Sequence, residues 1–155
     1  MDESVLIVGV GSGLSASLAR LCSSKGMKVV LAARNVEKLE DLKKEVKAEA
    51  YKCDSSDIES VRNLFKETDK TIGTPNLVIY NPSTRLKGSI TELDPKKTQE
   101  AINVTCFGAF LVAQEASKRM LKRKSGSIFF TAQQPALKVL QIHLSLRWVN
   151  LGLEG

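Results

Sequence analysis

Five short apolar runs alternate with longer stretches of helical period, and this alternation constrains the chain more than any other feature. The runs are SVLIVGV (4–10), MKVVLAA (27–33), EAYKC (49–53), NLVIY (76–80) and GSIFFT (126–131). They are nearly continuous in hydrophobicity, as strands covered on both faces must be. Between them lie LSASLARLCSSKG, NVEKLEDLKKEVK, SDIESVRNLFKETDKTIG and a long helical stretch over 94–123. Such alternation predicts an α/β fold, a doubly wound parallel sheet with helices on both faces and right-handed crossovers. Gly26 and Gly73 are placed to close helices, and Ser56 or Asp57 to cap one.

With 155 residues, 43% hydrophobic and 26% charged, the chain suits one globular domain that buries about two thirds of its unfolded surface. No segment approaches the ~20 apolar residues of a membrane span, so no membrane partner is expected. The acidic start MDESVLIVGV has no basic leader, and a cytoplasmic location is the expectation. Cys22, Cys53 and Cys106 are odd in number and widely spaced, which suits neither a disulfide framework nor a metal site, so no metal is expected. The formal charge of +6 is spread among acidic residues, as in RNVEKLEDLKKEVKAE, rather than gathered in one stripe. A solvated helix face accounts for it without nucleic acid. The basic run SKRMLKRKSG suits a helix C-terminus, where cations complement the dipole.

The first strand runs into GVGSGLS, and a helix opens there. Gly9, Gly11 and Gly13 let the backbone turn sharply and approach a ligand, while the first amides of the helix, from Ser12 to Leu14 onward, can face a pyrophosphate. The spacing departs from G-x-G-x-x-G, and a glycine-rich turn without ligand is the competing reading. At the end of the second strand, where dinucleotide folds place an acidic residue on the adenosine ribose, this chain has Arg34. An Arg there can pair with a 2′-phosphate, which favours NADP(H), with NAD(H) also admitted; the alternative is a surface Arg at a helix start. After the third strand, Asp54 either accepts from an adenine amino group or caps the helix beginning near Ser56.

The order and spacing of VGVGSGLSASLARLCSSKGMKVVLAARN, then CD, then NLVIYNPS, then INVTCFGAFLVAQEASKRMLKRKSGSIFFT resemble the short-chain dehydrogenase/reductase family over about Ser4 to Thr131. The resemblance implies a Rossmann-type fold that binds a nicotinamide dinucleotide and oxidises or reduces a small carbonyl or alcohol. In the family's T-G-x-x-x-G-x-G block, Gly9, Ser12 and Gly13 match, while Val8 and Ser15 depart; Ser12 is then expected to touch phosphate. Of the family's N-N-A-G only Asn81 is retained, in YNPS. Asn103 matches the helix asparagine, which implies a catalytic role in holding a water of the proton relay.

The family's proton donor, a Tyr followed four residues later by a Lys, is absent from the sequence, and Ala132 or Gln133 occupies the position of its Ser. The only tyrosines are Tyr51 and Tyr80. Residues 1–131 are therefore expected to form the NAD(P)-binding domain and 132–155 an atypical tail. That tail has two readings. LQIHLSLRW alternates strictly and suits an amphipathic strand, which leaves His143 a surface residue. Alternatively, one nucleotide inserted after the Thr131 codon lets the tail read Thr-Gly-Ala-Thr-Ala-Ser-Leu-Lys-Gly-Ser-Ala-Asn, like the family's continuation. The expected function is an NAD(P)(H)-dependent oxidoreductase impaired in this chain; the alternatives are a non-catalytic NADP(H)-binding protein or an inactive fragment. A sheet truncated after the fifth strand leaves apolar surface uncovered, so poor stability or homo-oligomerisation is expected.

Overall fold

The computed structural model describes residues 3–131; the amphipathic strand, His143 and the other readings of the tail lie outside these residues. Five strands, β1 (Ser4–Val8), β2 (Lys28–Ala33), β3 (Glu49–Lys52), β4 (Leu77–Tyr80) and β5 (Ser127–Phe130), form one sheet of order β3-β2-β1-β4-β5. All four pairings are parallel, with Val8 opposite both Ala32 and Tyr80. The expected doubly wound sheet is thus the fold found. The strand order reverses at β1, and the crevice beyond the C-terminal ends of β1 and β4 is where open parallel sheets of this kind hold ligands.

Alternation along the strands divides the interior. Leu6, Val8, Val30, Ala32, Val78 and Tyr80 face one side, against α3 (Ile58–Ile72) and α5 (Gly108–Arg123). Val5, Ile7, Val29, Leu31 and Ile79 face the other, against α1 (Leu14–Ser24) and α2 (Glu40–Glu45). Because β1 is buried on both faces from end to end, its sequence carries no polar alternation. Arg119 ties α3 to α5: it pairs with Asp69 at 2.8 Å and Glu115 at 2.7 Å, and its guanidinium lies 5.0 Å from the Phe65 ring centroid.

Helix ends follow local chemistry. Asp57 caps α3 by accepting from the Ser60 amide, and Gly73 ends it with φ +71°. After α1, Gly26 (φ +80°) donates to Ser23 O and Met27 to Cys22 O, the paired bonds of a left-handed helix stop. Two expected helices are interrupted. The stretch 35–47 forms a 3-10 turn, Glu37–Leu39, before the short α2, and it buries chiefly Leu39, Leu42 and Val46. The stretch 94–123 divides into α4 (Pro95–Ile102), a π segment (Asn103–Phe107) and α5.

Among the described residues β5 pairs only with β4, and Phe129 and Phe130 are exposed. Phe107 and Phe110, stacked at 6.3 Å, are exposed on the π segment and α5.

Candidate active site

The turn after β1 is built by backbone rather than side chains. Gly9 has φ +81°, and a Cβ there would lie 2.5 Å from the Pro82 ring, so the turn after β1 presses directly on the turn after β4. Gly9 and Val10 amides both donate to Ala32 O, at 2.9 and 3.0 Å, which extends the β1–β2 contact into the turn. Gly11 and Gly13 differ in kind: a Cβ at either would meet nothing within 4 Å. Their bareness serves open space above the turn, not packing below it. Gly13 is the N-cap of α1, and no side chain bonds the amides that open this 11-residue helix. An uncapped helix start with a bare approach fits a diphosphate, which its free N–H groups and positive dipole end would hold.

Two cavities flank this turn. One of about 230 Å³ is lined by Gly9, Gly11, Arg34, Asp54, Asn81 and Val104, among others; the second, about 550 Å³, by Gly11, Ser12, Arg34 and Lys38, among others. Arg34, exposed at the end of β2, borders both. Gly13 and Leu14 are exposed at the helix start without lining either cavity. Lys38 was not foreseen: within NVEKLEDLKKEVK it reads as one of many solvated cations, and only the 3-10 turn brings it beside Arg34.

Asp54 does not cap the following helix; Asp57 does. Instead its Oδ1 accepts from the Ser56 amide at 2.9 Å and the Ser56 hydroxyl at 2.6 Å. These bonds, with a smaller contribution from the charge on Arg34, hold its carboxyl below the usual range, so at neutral pH it is an ionised acceptor facing the smaller cavity.

Asn81 is committed at both ends of its amide. Nδ2 donates to Ser15 Oγ, and Oδ1 accepts from the Thr131 hydroxyl. Ser15 in turn donates to Gly9 O at 3.1 Å. The departure at Ser15 is thereby explained: its hydroxyl links the turn to β4, a role the motif itself does not signal. Asn103 opens the π segment, its Oδ1 accepting from Gln99 Nε2 at 3.0 Å and its carbonyl from the Gly108 amide. It is half-buried, and its neighbour Val104 lines the smaller cavity. The described residues contain no group of three or more His, Cys, Asp or Glu that could hold a metal, and no helix among them is long and apolar enough to cross a membrane.

The sequence pattern described as short chain dehydrogenase matches residues 3–141. The chain belongs to the short-chain dehydrogenase family. The match runs past Thr131, into residues outside those described. An uncharacterised oxidoreductase of Staphylococcus aureus (strain USA300) is 30% identical over 141 residues, covering 89% of this chain and 61% of the relative. A 3-oxoacyl-[acyl-carrier-protein] reductase of Bos taurus is 24% identical over 140 residues, covering 89% of this chain and 59% of the relative. Among solved structures, an actinorhodin polyketide ketoreductase with NADPH superposes with a TM-score of 0.82 at 24% identity, covering 85% of this chain and 53% of that one. An alcohol dehydrogenase from the archaeon Thermococcus sibiricus, complexed with 5-hydroxy-NADP, gives a TM-score of 0.76 at 24% identity, covering 84% and 57%. This short-chain dehydrogenase chain thus spans about three fifths of the length of the curated relatives it matches, and its relationship is to oxidoreductases with NAD(P)-binding Rossmann folds.

Proposed function

We propose that the chain binds NADP(H) in preference to NAD(H) across the crevice between β1 and β4, as the cofactor-holding part of an oxidoreductase acting on a carbonyl or alcohol. The observation that carries this is the uncapped start of α1 beneath bare Gly11 and Gly13, with Arg34 and Lys38 beside Ser12 in the adjoining cavity. Arg34 and Lys38 line this cavity together with Arg20 and Asp41, and the excess of cations suits a 2′-phosphate, since charge-assisted bonds to it outweigh neutral ones. Gly9, Gly11, Ser12, Gly13 and Leu14 would hold the diphosphate, Asp54 and Val104 would border the adenine, and Asn81 would keep the two turns in register. A bound nicotinamide cofactor supplies or accepts a hydride. Asn103 would hold a water on the proton path. The 155 residues contain no Tyr-x-x-x-Lys, so none of them is assigned as the proton donor.

A second reading is a non-catalytic NADP(H)-binding protein, possessing the site without the chemistry. Titration of the chain with NADPH and NADH, followed by nucleotide fluorescence, tests the proposal. Saturable NADPH binding, tighter than NADH, is expected; no binding of either overturns it. Incubation of the NADPH complex with generic aldehydes and ketones separates weak enzyme from binder. Sedimentation velocity reads the expected homo-oligomer, which the exposed Phe107 and Phe110 support.

A further inference from the structure

The π segment is closed by the Gly108 amide, which reaches back to Asn103 O. In an α register that amide would serve Val104 O, four residues back. The wider register therefore strands one acceptor, as such turns do, often at functional sites. Here the Tyr80 hydroxyl donates to the Val104 carbonyl. The same hydroxyl lies 3.1 Å from Ser55 Oγ. A phenol carries one proton, so while Tyr80 spends it on Val104, the Ser55 hydroxyl supplies the other bond. The result is a directed chain from the loop after β3, through the end of β4, to the helix that carries Asn103.

Its members are inside the protein: Tyr80 is 2% exposed and Ser55 6%. Gly108 allows the helix to seat on them, since a Cβ there would strike the Tyr80 hydroxyl and come within 2.6 Å of Ser55 O. Burial pushes the Tyr80 hydroxyl up to about 12, so it remains a donor throughout the neutral range. The family resemblance gives an asparagine at this place, and neither length nor hydrophobicity of NLVIY hints that its last residue points a hydroxyl at another helix.

We propose that Tyr80 is a positioning residue of the cofactor pocket: its hydroxyl, backed by Ser55, holds the Val104 carbonyl in the wide register, which sets the Val104 wall of the pocket and orients the turn bearing Asn103. Its ligand arm rests on the NADP(H) reading above; its conformational arm does not.

The test uses the 155-residue chain with Tyr80→Phe, Ser55→Ala and the double substitution. Hydrogen exchange is followed at residues 103–108 and in β1 and β2, and 2′,5′-ADP is titrated by calorimetry. Tyr80→Phe leaves a buried carbonyl unpaired, and is expected to speed exchange at 103–108 by about tenfold while β1 and β2 stay within about twofold, with 2′,5′-ADP weakened about fivefold. Ser55→Ala shifts both readouts the same way by less, and the double substitution does no more than Tyr80→Phe alone, because the two share one chain. Uniform acceleration across the sheet, or unchanged exchange at 103–108, overturns the proposal. Should Tyr80→Phe fail to fold, Ser55→Ala decides by the same local comparison. If the unsubstituted chain binds neither 2′,5′-ADP nor NADPH, the reading of the site fails while the exchange measurements still decide the role of Tyr80.

Discussion

The Asn81 side-chain amide donates to the Ser15 hydroxyl, joining the end of β4 to the first turn of α1 beneath the glycine-rich turn. Ser15 is 1% exposed and also donates to Gly9 O, so both partners lose a bond when its hydroxyl is removed. Ser15→Ala should lower stability by about 1–3 kcal/mol. Ser15→Gly, which restores the family's residue, should cost about 1 kcal/mol more through helix propensity. Urea unfolding of both variants beside Ser17→Ala, an exposed control, checks this; equal midpoints for Ser15→Ala and Ser17→Ala would remove the Asn81 bond as a stabilising link.

The glycines of the turn should divide into two kinds on substitution. Gly9→Ala meets both a left-handed backbone and the Pro82 ring at 2.5 Å, and a loss of stability of about 2 kcal/mol or more is expected from strain and overlap together. Gly11→Ala has open space around its Cβ, so the melting temperature should hold while nucleotide affinity falls as the methyl occupies the diphosphate's place. Thermal melts paired with NADPH titration read the contrast. Gly11→Ala with undiminished affinity would mean that the diphosphate lies elsewhere.

Arg34→Ala should separate the two nucleotides. A charge-assisted bond to a 2′-phosphate contributes about 1.5–3 kcal/mol, so NADPH should weaken by roughly 10- to 100-fold while NADH changes little. Lys38→Ala should act in the same direction but less, since a lysine makes a single-point contact without the guanidinium's fork. Equal loss for both nucleotides would place Arg34 outside the 2′-phosphate contact.

How much of this was legible in the sequence depends on whether a feature is local. The five strands, their parallel sheet, the open turn after β1, a helix start at Ser56 or Asp57 and a helix end at Gly73 all follow from patterns within a few residues. The π segment did not, because the low helix propensity of NVTCF signals a weakened helix without specifying its register; the wider register becomes visible only with Gly108 seated on Ser55 and Tyr80. Helix stops at Lys47 and Lys124, with φ +51° and +58°, were illegible for a related reason: lysine carries no left-handed preference, and the tertiary setting imposes one. At the candidate site, Arg34 and Asp54 stand out in the sequence by their place after strands, and both line its cavities. Ser55 and Tyr80 were missed because they act across elements distant in sequence, and Lys38 because its place beside Arg34 depends on the 3-10 turn that interrupts the expected helix.

Stability should fall at alkaline pH through two buried groups on one side of the sheet. Burial pushes the Cys53 thiol up to about 11 and the Tyr80 hydroxyl up to about 12, against ordinary values of about 8.5 and 10 in an unfolded chain. Each raised group contributes stability that is complete below its unfolded value. As pH rises the unfolded chain releases these protons first, so stability declines from about pH 8.5 for Cys53 and from about 10 for Tyr80, and the loss is complete once the folded values near 11 and 12 are passed. Denaturant unfolding across pH 7–11 should show this slope, and Cys53→Ala should flatten its lower part. Cys106 is exposed where Cys53 is buried, so a thiol reagent at pH 8 should modify Cys106 within minutes and reach Cys53 only on unfolding. Modification of Cys53 at the rate of Cys106 in the folded chain would show that the β3 end opens readily, and the alkaline slope would then have another origin.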